Sequence, residues 1–451
     1  MSCYRDASRF LPRLVVAAAI VLVGVRFFLF ISAYSVNVLF LDQWDFLTPF
    51  FRGNPRFRDL FFFKWGWHRE GLGLFLNKLL YPPTHWNVRA ESFVIGGCIF
   101  VAMLLALQLK RRLFGSLGYS DVAVPLIVLT VAQAETITGT PHPGYACFPL
   151  LMMMMYCLAL LCRHRLLRYG CLLLLNFLLI YTGPGLLMGV VTLGVFAFEC
   201  YLNFHRLGPV GVALPGAGLA IAGASLGSFF LHYTFSPMVD CLVFPYHPLY
   251  AYPWFMALMF WSFIGPGHPV HLATVVGTAT GALILLSVAA ILVRHLYCLL
   301  KRDQSMESAL VGAVLLSYSL LFSITAAFGR VCVGLPAAAQ QSRYITWLIP
   351  AFLAIYFYLL SSPASGIRKL ALSLFVVVLA PSSLTVRPGT RRVTEGKRAW
   401  VACYQRTEDI HQCDQATGFM VYPNPEATGL KEKLDYLRRH RLSFFAYSAA
   451  K

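Results

Sequence analysis

The chain has 451 residues, of which 58% are hydrophobic and only 12% charged, with a mean hydropathy of +0.66. A soluble globular domain carries about 25% charged residues, so this composition excludes an ordinary water-soluble fold and points to an all-α polytopic membrane protein. The net charge of +18 does not call for a nucleic-acid partner, because the basic residues sit in short clusters between apolar runs, the pattern of cytoplasmic loops.

Apolar runs near 20 residues recur along the chain, and each of these can cross a hydrocarbon core of about 30 Å. The pattern predicts about eleven spans, over 14–36, 92–109, 121–137, 146–162, 169–182, 186–203, 209–230, 270–293, 308–328, 344–361 and 370–386. The first follows a basic head (Arg5, Arg9, Arg13) without a small-residue cleavage site, which predicts a retained helix rather than a signal peptide. With the N-terminus inside, the basic clusters at 110–112, 163–168, 206, 294–302 and 368–369 fall on the cytoplasmic side. An odd number of crossings then leaves the tail outside. The predicted organisation is a membrane domain over 1–386, with a long outer loop at 37–91, and a small outer tail over 387–451. The further outer segments are 135–145, 232–269 and 329–343.

Arg26 lies mid-way along the first span and must face the interior, paired with an acid or a backbone carbonyl. Just past that span, residues 39–51 read LFLDQWDFLTPFF. Asp42 and Asp45 are three apart and share a face if the helix continues. A carboxylate beside apolar surface has a raised pKa unless a cation or donor holds it ionised, which suits a general base. Equally, the two aspartates could mark the exit into water, with Trp44 as an interfacial belt residue.

Residues 61–83, FFFKWGWHREGLGLFLNKLLYPP, set Lys64, His68, Arg69 and Glu70 among aromatics. Leu72, Phe75, Leu76, Leu79 and Leu80 recur at helical spacing and predict a helix lying on the membrane surface. His68 could orient a substrate, bind a metal or serve as a hydrogen-bonded structural residue. Glu135 stands near the outer end of the third span, where an ionisable group is either functional or already at the water boundary. His142, between two prolines, reads as structural.

Arg330 and Arg343 are the only basic residues of 329–343, and Tyr344 follows directly. Guanidinium forks hold phosphate well; the alternative is interfacial snorkelling. Most cysteines lie in apolar runs as small packing residues, and only Cys403 and Cys413 look like a pair that could bridge. No CxxC or zinc spacing occurs, so no metal site or cofactor is assigned and a divalent metal is left open. In the tail, Tyr422-Pro423-Asn424-Pro425 imposes an extended entry. Leu430, Leu434 and Leu437 then predict an amphipathic helix that either folds back over the outer loops or anchors the tail on the membrane surface.

Sugar transfer from a lipid-linked phosphosugar needs this inventory. The leaving phosphate departs without a proton but needs cations, and the attacking hydroxyl needs one carboxylate as base. An apolar groove would hold the lipid. The residues resemble the GT-C superfamily of polyprenyl-phosphate-dependent membrane glycosyltransferases, which place an acidic motif in the first outer loop. More narrowly they resemble a bacterial group with a DxWD-like start, a His-containing stretch, a Gly-Arg…Ser-Arg-Tyr segment and a Tyr-Pro-x-Pro tail. These stand here as Asp42–Asp45, His68-Arg69-Glu70, Gly329-Arg330 with Ser342-Arg343-Tyr344, and Tyr422–Pro425. Gln43 departs from the Asp-Glu form of the motif, and Gly71-Leu72 stand where relatives carry a second histidine.

The resemblance implies a bacterial inner-membrane enzyme whose site faces the exterior. Asp42 would be the base, and Asp45, also catalytic, and Glu135 would help position a glycan or lipid-linked acceptor. His68, Glu70 and Tyr344 would contact substrate, and Arg330 and Arg343 would hold the polyprenyl-phosphate donor. The rivals are an O-antigen polymerase or ligase and a non-enzymatic flippase of lipid-linked sugar.

Overall fold

In a bilayer the backbone has no water to bond with, so each apolar run closes its own hydrogen bonds as a helix. The computed structural model describes residues 2–66, 68–235, 241–265, 271–302, 306–362 and 365–446. It is 79% helical, and the strand content among the described residues is one antiparallel pair, Lys64–Trp65 with His68–Arg69. The larger helices, numbered in chain order, are α1 (Ser2–Tyr34), α2 (Val88–Phe114), α3 (Phe148–Leu160), α4 (Arg165–Ile180), α5 (Leu186–Leu207), α6 (Pro209–Phe229) and α7 (Ala251–Ile264). They continue with α8 (His271–Lys301), α9 (Met306–Arg330), α10 (Ile345–Ser361), α11 (Ser365–Leu384), α12 (Pro388–Thr407), α13 (Ile410–Thr417) and α14 (Leu430–Arg439).

Nine helices among the described residues are long and apolar enough to cross a membrane: α1, α2, α5, α6, α8, α9, α10 and the segments containing α3 and α11. The protein is therefore an all-α, multi-pass membrane protein. Two of the eleven expected spans take other forms. The run at 121–137 is broken into a helix Ala123–Val128, a 3-10 turn Val131–Gln133 and a π-helical turn Glu135–Gly139. The break is at Thr130, whose hydroxyl accepts from the Ala132 N–H at 3.2 Å and starts a new turn. Gln133 Nε2 then donates to the freed Val128 carbonyl at 2.8 Å. The run at 169–182 becomes α4, only 16 residues long. Its first-turn Arg168 pairs with Glu199 of α5 at 3.0 Å, and Tyr169 donates to the same carboxylate at 2.9 Å. Conversely, α7 lies inside the expected outer loop 232–269 and buries Phe255, Leu258, Phe260 and Phe263. Arg26 donates to the Leu384 carbonyl at 3.0 Å, a backbone partner of the kind expected, but the bond lies on the exposed side of the bundle and not in its interior.

Helices α3, α5, α9 and α10 share a polarity. Each meets a common cavity at one end and carries or adjoins basic residues at the other: Arg163, Arg206, Lys301 with Arg302, and Arg368. The cavity and the basic clusters thus occupy opposite ends of the bundle.

At the cavity end a second hydrophobic core joins two distant parts of the chain. It packs Val38, Leu39, Phe40, Trp44, Phe46, Leu47, Phe50 and Tyr81 of the first loop with Trp400, Tyr404, Leu430, Leu434 and Leu437 of the tail. Trp44 is 0% exposed and so is a core residue, not an interfacial one. The Leu41 N–H donates to the Val421 carbonyl at 2.9 Å, and the Ser443 N–H to the His85 carbonyl at 2.7 Å. In the helix Gly71–Thr84 the buried face is Gly73, Leu74, Asn77 and Tyr81, which leaves Leu79 outward. Cys403 and Cys413 are bonded as expected, and a second disulfide, Cys241–Cys332, joins the loop after α6 to the loop after α9.

Leu434 and Leu437 are fully enclosed, so Leu434→Asp with Leu437→Asp buries two carboxylates without partners and should cost roughly 3 kcal/mol or more. The expected outcome in membranes is rapid protease cleavage beyond residue 387 while the helices remain inserted. A digestion pattern identical to wild type would contradict the shared core.

Candidate active site

The first loop is shaped by what its short helix, Gln43–Phe46, leaves free. Asp42 stands at the N-cap position but its carboxylate makes no capping hydrogen bond, so it remains available to the cavity. Gln43 is buried; its Oε1 accepts from the Phe40 N–H at 3.0 Å and its Nε2 donates to the Pro141 carbonyl at 2.8 Å. Thr140 Oγ1 adds a bond to the Phe40 carbonyl at 3.0 Å. An amide does here what an acid cannot, because one side chain must both accept and donate.

The two aspartates part company. Asp45 accepts from Tyr422 Oη at 2.7 Å and lies 3.5 Å from Lys433 Nζ. Lys433 also donates to the Trp44 carbonyl at 2.7 Å. Asp45 is thus engaged by the tail and is not among the residues lining the cavity, which corrects the expectation of a shared face: Asp42 precedes the helix rather than riding on it.

Asp42 lies 3.5 Å from Arg343 Nη1, and Arg343 Nε lies 3.7 Å from Glu135 Oε1. One guanidinium therefore spans two carboxylates from different loops. Gln341 Oε1 accepts from Arg343 Nε at 2.7 Å, and the Glu135 N–H donates to Ser342 Oγ at 3.1 Å. Burial raises the Asp42 pKa above the ordinary carboxylate value; Arg343 opposes this, the Glu135 charge adds to it, and Arg330 and His142 oppose it more weakly. Arg330 makes no ion pair with a carboxylate among the described residues.

These groups face a cavity that is partly open to solvent. Asp42, Arg330, Arg343, His68, Tyr145 and Tyr344 supply its polar wall; Gly183, Pro184, Leu186, Leu187, Phe322 and Ala326 supply most of the rest. His68 is buried, and burial lowers its pKa to about 4, so the ring is neutral at pH 7. Its edge meets Tyr145 at 5.7 Å between ring centroids. Glu135 and Glu70 are not among the lining residues. Glu70 Oε2 sits 2.7 Å from His142 Nε2 behind the wall. Gly183 passes so close that a Cβ would lie 2.9 Å from Glu70 Oε1, and its φ of +70° also favours glycine.

Sequence reasoning missed Tyr145, Gly183-Pro184 and the pairing of Glu70 with His142. A Gly-Pro-Gly turn between two apolar runs was the available signal for the second of these. Among the described residues, no three His, Cys, Asp or Glu side chains are grouped to hold a metal ion. No family model, curated protein or solved structure matches the chain.

Arg343→Gln removes the main cation opposing the burial of Asp42, so the titration midpoint of Asp42, already above the ordinary value, should move further up. A ¹³C-detected carboxylate titration in detergent micelles measures it. A midpoint that stays put or falls would mean that the ion pair does not hold in solution.

Proposed function

We propose that the protein is a membrane glycosyltransferase that moves a sugar from a polyprenyl-phosphate donor to a glycan or lipid-linked acceptor. The observation that carries the proposal is the convergence of Asp42, from the first loop, with Arg330 and Arg343, from the connection between α9 and α10, on one cavity whose remaining wall is largely apolar. An apolar groove lies along the same two helices that line the cavity. Leu187 and Phe322 line the cavity, while Val190, Val191 and Leu321 of the adjoining turns of α5 and α9 line an apolar pocket with Leu299 and Leu300 of α8. A phosphate at the arginines and a prenyl chain along this groove match that arrangement.

In the reaction the acceptor hydroxyl gives its proton to Asp42 while its oxygen attacks the anomeric carbon. The bond from that carbon to the phosphate oxygen breaks, and the phosphate leaves with the electron pair. Arg330, which has no carboxylate partner among the described residues, meets the charge that develops there. Arg343 contributes from its place between Asp42 and Glu135. Neutral His68 and Tyr145 offer hydrogen bonds to the sugar, and Asp45 takes no part in the chemistry.

Counting the broken segment before Thr140 and α4 as crossings gives eleven passes in a GT-C-like organisation. The basic clusters at the far end of the bundle favour a cavity on the outer face of a bacterial inner membrane. Two disulfides at the cavity end fit an oxidising exterior.

Comparing lipid-linked sugars and surface glycans in cells with and without the gene tests the proposal. Loss of one sugar with accumulation of its prenyl-phosphate form is the expected outcome. Altered chain length with unchanged composition would indicate a polymerase or ligase instead, and an unchanged glycan would leave the proposal without support. Asp42→Asn should then lower transfer about 100- to 10,000-fold, as loss of a general base does. Arg330→Lys should retain part of the activity and Arg330→Ala little. Equal activity of the two Arg330 variants would rule out a phosphate contact.

A further inference from the structure

We propose that Lys397 is a positioning residue that fixes the spacing of the two acid-bearing loops, so that the tail sets the geometry of the site. The inference rests on the glycosyltransferase reading for its kinetic test but on geometry for its origin. Lys397 lies on α12 and is 0% exposed. Its ammonium donates to the carbonyls of Thr138, at 3.4 Å, and Gly139, and stands over the Phe40 ring, 4.6 Å from its centroid. Among the described residues no carboxylate lies within ion-pair distance of it. Burying an ammonium without a counter-ion is costly and lowers the Lys397 pKa to about 7, and a methionine or leucine would fill the same space without that cost. Packing alone therefore does not account for a lysine here.

What the lysine joins does account for it. Phe40 is two residues before Asp42, and Gly139 ends the π-helical turn that begins at Glu135. A cation at the carbonyl end of a helical turn is well placed electrostatically, and the Phe40 ring offers its negative face on the other side. The same two segments are tied by Thr140 Oγ1 to the Phe40 carbonyl and by Gln43 Nε2 to the Pro141 carbonyl. The bridge of Arg343 to Asp42 and Glu135, at 3.5 and 3.7 Å, depends on their register. Helix α12 is itself anchored to the end of α1. Thr394 Oγ1 donates to the Tyr34 carbonyl at 3.2 Å and Arg398 to the Ala33 carbonyl at 2.7 Å. Lys397 touches neither acid, yet it carries the position of the tail to both.

The test is Lys397→Met in the full-length protein, with two readouts. A misplacement of about 1 Å lowers kcat on the order of 100-fold, so kcat should fall roughly 10- to 100-fold. KM for the prenyl-phosphate donor should stay within a few-fold, because Arg330 and the α5–α9 groove are untouched. Independently of any activity, the Asp42 titration midpoint should rise as its contact with Arg343 loosens; the charged groups facing Asp42 are Arg343, Glu135, Arg330 and His142. Gln43→Leu acts on the same register, so the double variant should cost little more than the worse single one. Wild-type kcat with an unmoved midpoint overturns the proposal, as do equal losses in kcat and donor affinity, or costs that multiply in the double variant. If Lys397→Met fails to insert, Gln43→Leu and Thr140→Val must give the same kcat loss and midpoint rise, or the proposal falls. If the wild type transfers no sugar but the midpoint still rises, the positioning role stands and the glycosyltransferase reading fails.

Discussion

The cavity depends on one shared cation. Asp42 and Glu135 approach the same guanidinium, that of Arg343, and without it two partly buried carboxylates would repel each other and drive toward protonation. The three residues come from the first loop, from a broken apolar segment and from the turn before α10. The polar chemistry of the site therefore exists only where three loops are held in register. Most of the other polar contacts around it serve that register: Gln43 to Pro141, Thr140 to Phe40, Ser342 to the Glu135 N–H, Gln341 to Arg343.

The tail follows from the same constraint. Segment 39–51 is rich in Leu, Phe and Trp but does not continue α1, so its apolar side chains need cover. Trp400, Tyr404 and the α14 leucines provide it. Once the tail is there, its polar residues reach the loop as well, and Asp45 becomes the point of attachment for Tyr422 and Lys433. Two aspartates three residues apart thus end in different roles, one spent on tying the loop to the tail and one left facing the cavity.

Much of this was legible beforehand. Nine of the expected spans follow from length and hydropathy alone, because a bilayer leaves the backbone little choice. The stripe of Leu430, Leu434 and Leu437 and the Cys403–Cys413 pair were local patterns and could be read locally. What could not be read was pairing at a distance. Cys241 and Cys332 are 91 residues apart with no local signature. The partners of Asp45 lie nearly four hundred positions downstream. Helix α7 was taken for loop because the segment around it is rich in His, Tyr and Pro. The interruption at Thr130 was hidden by the apolar residues around it, since hydropathy averages over the hydroxyl that restarts the turn.

Arg330 and Arg343 looked equivalent as the two basic residues of one short loop, and their surroundings make them unequal. Arg343 is balanced by two carboxylates and a glutamine; Arg330 has no carboxylate partner among the described residues. An anion entering the cavity therefore meets Arg330 first, and can engage Arg343 only by competing with Asp42 and Glu135. Asp42 gains from that competition, because any charge that Arg343 gives to a phosphate is withdrawn from the carboxylate and leaves it the stronger base. On the glycosyltransferase reading, donor binding and activation of the acceptor are then coupled through a single side chain, and a site without donor keeps its carboxylate quiet.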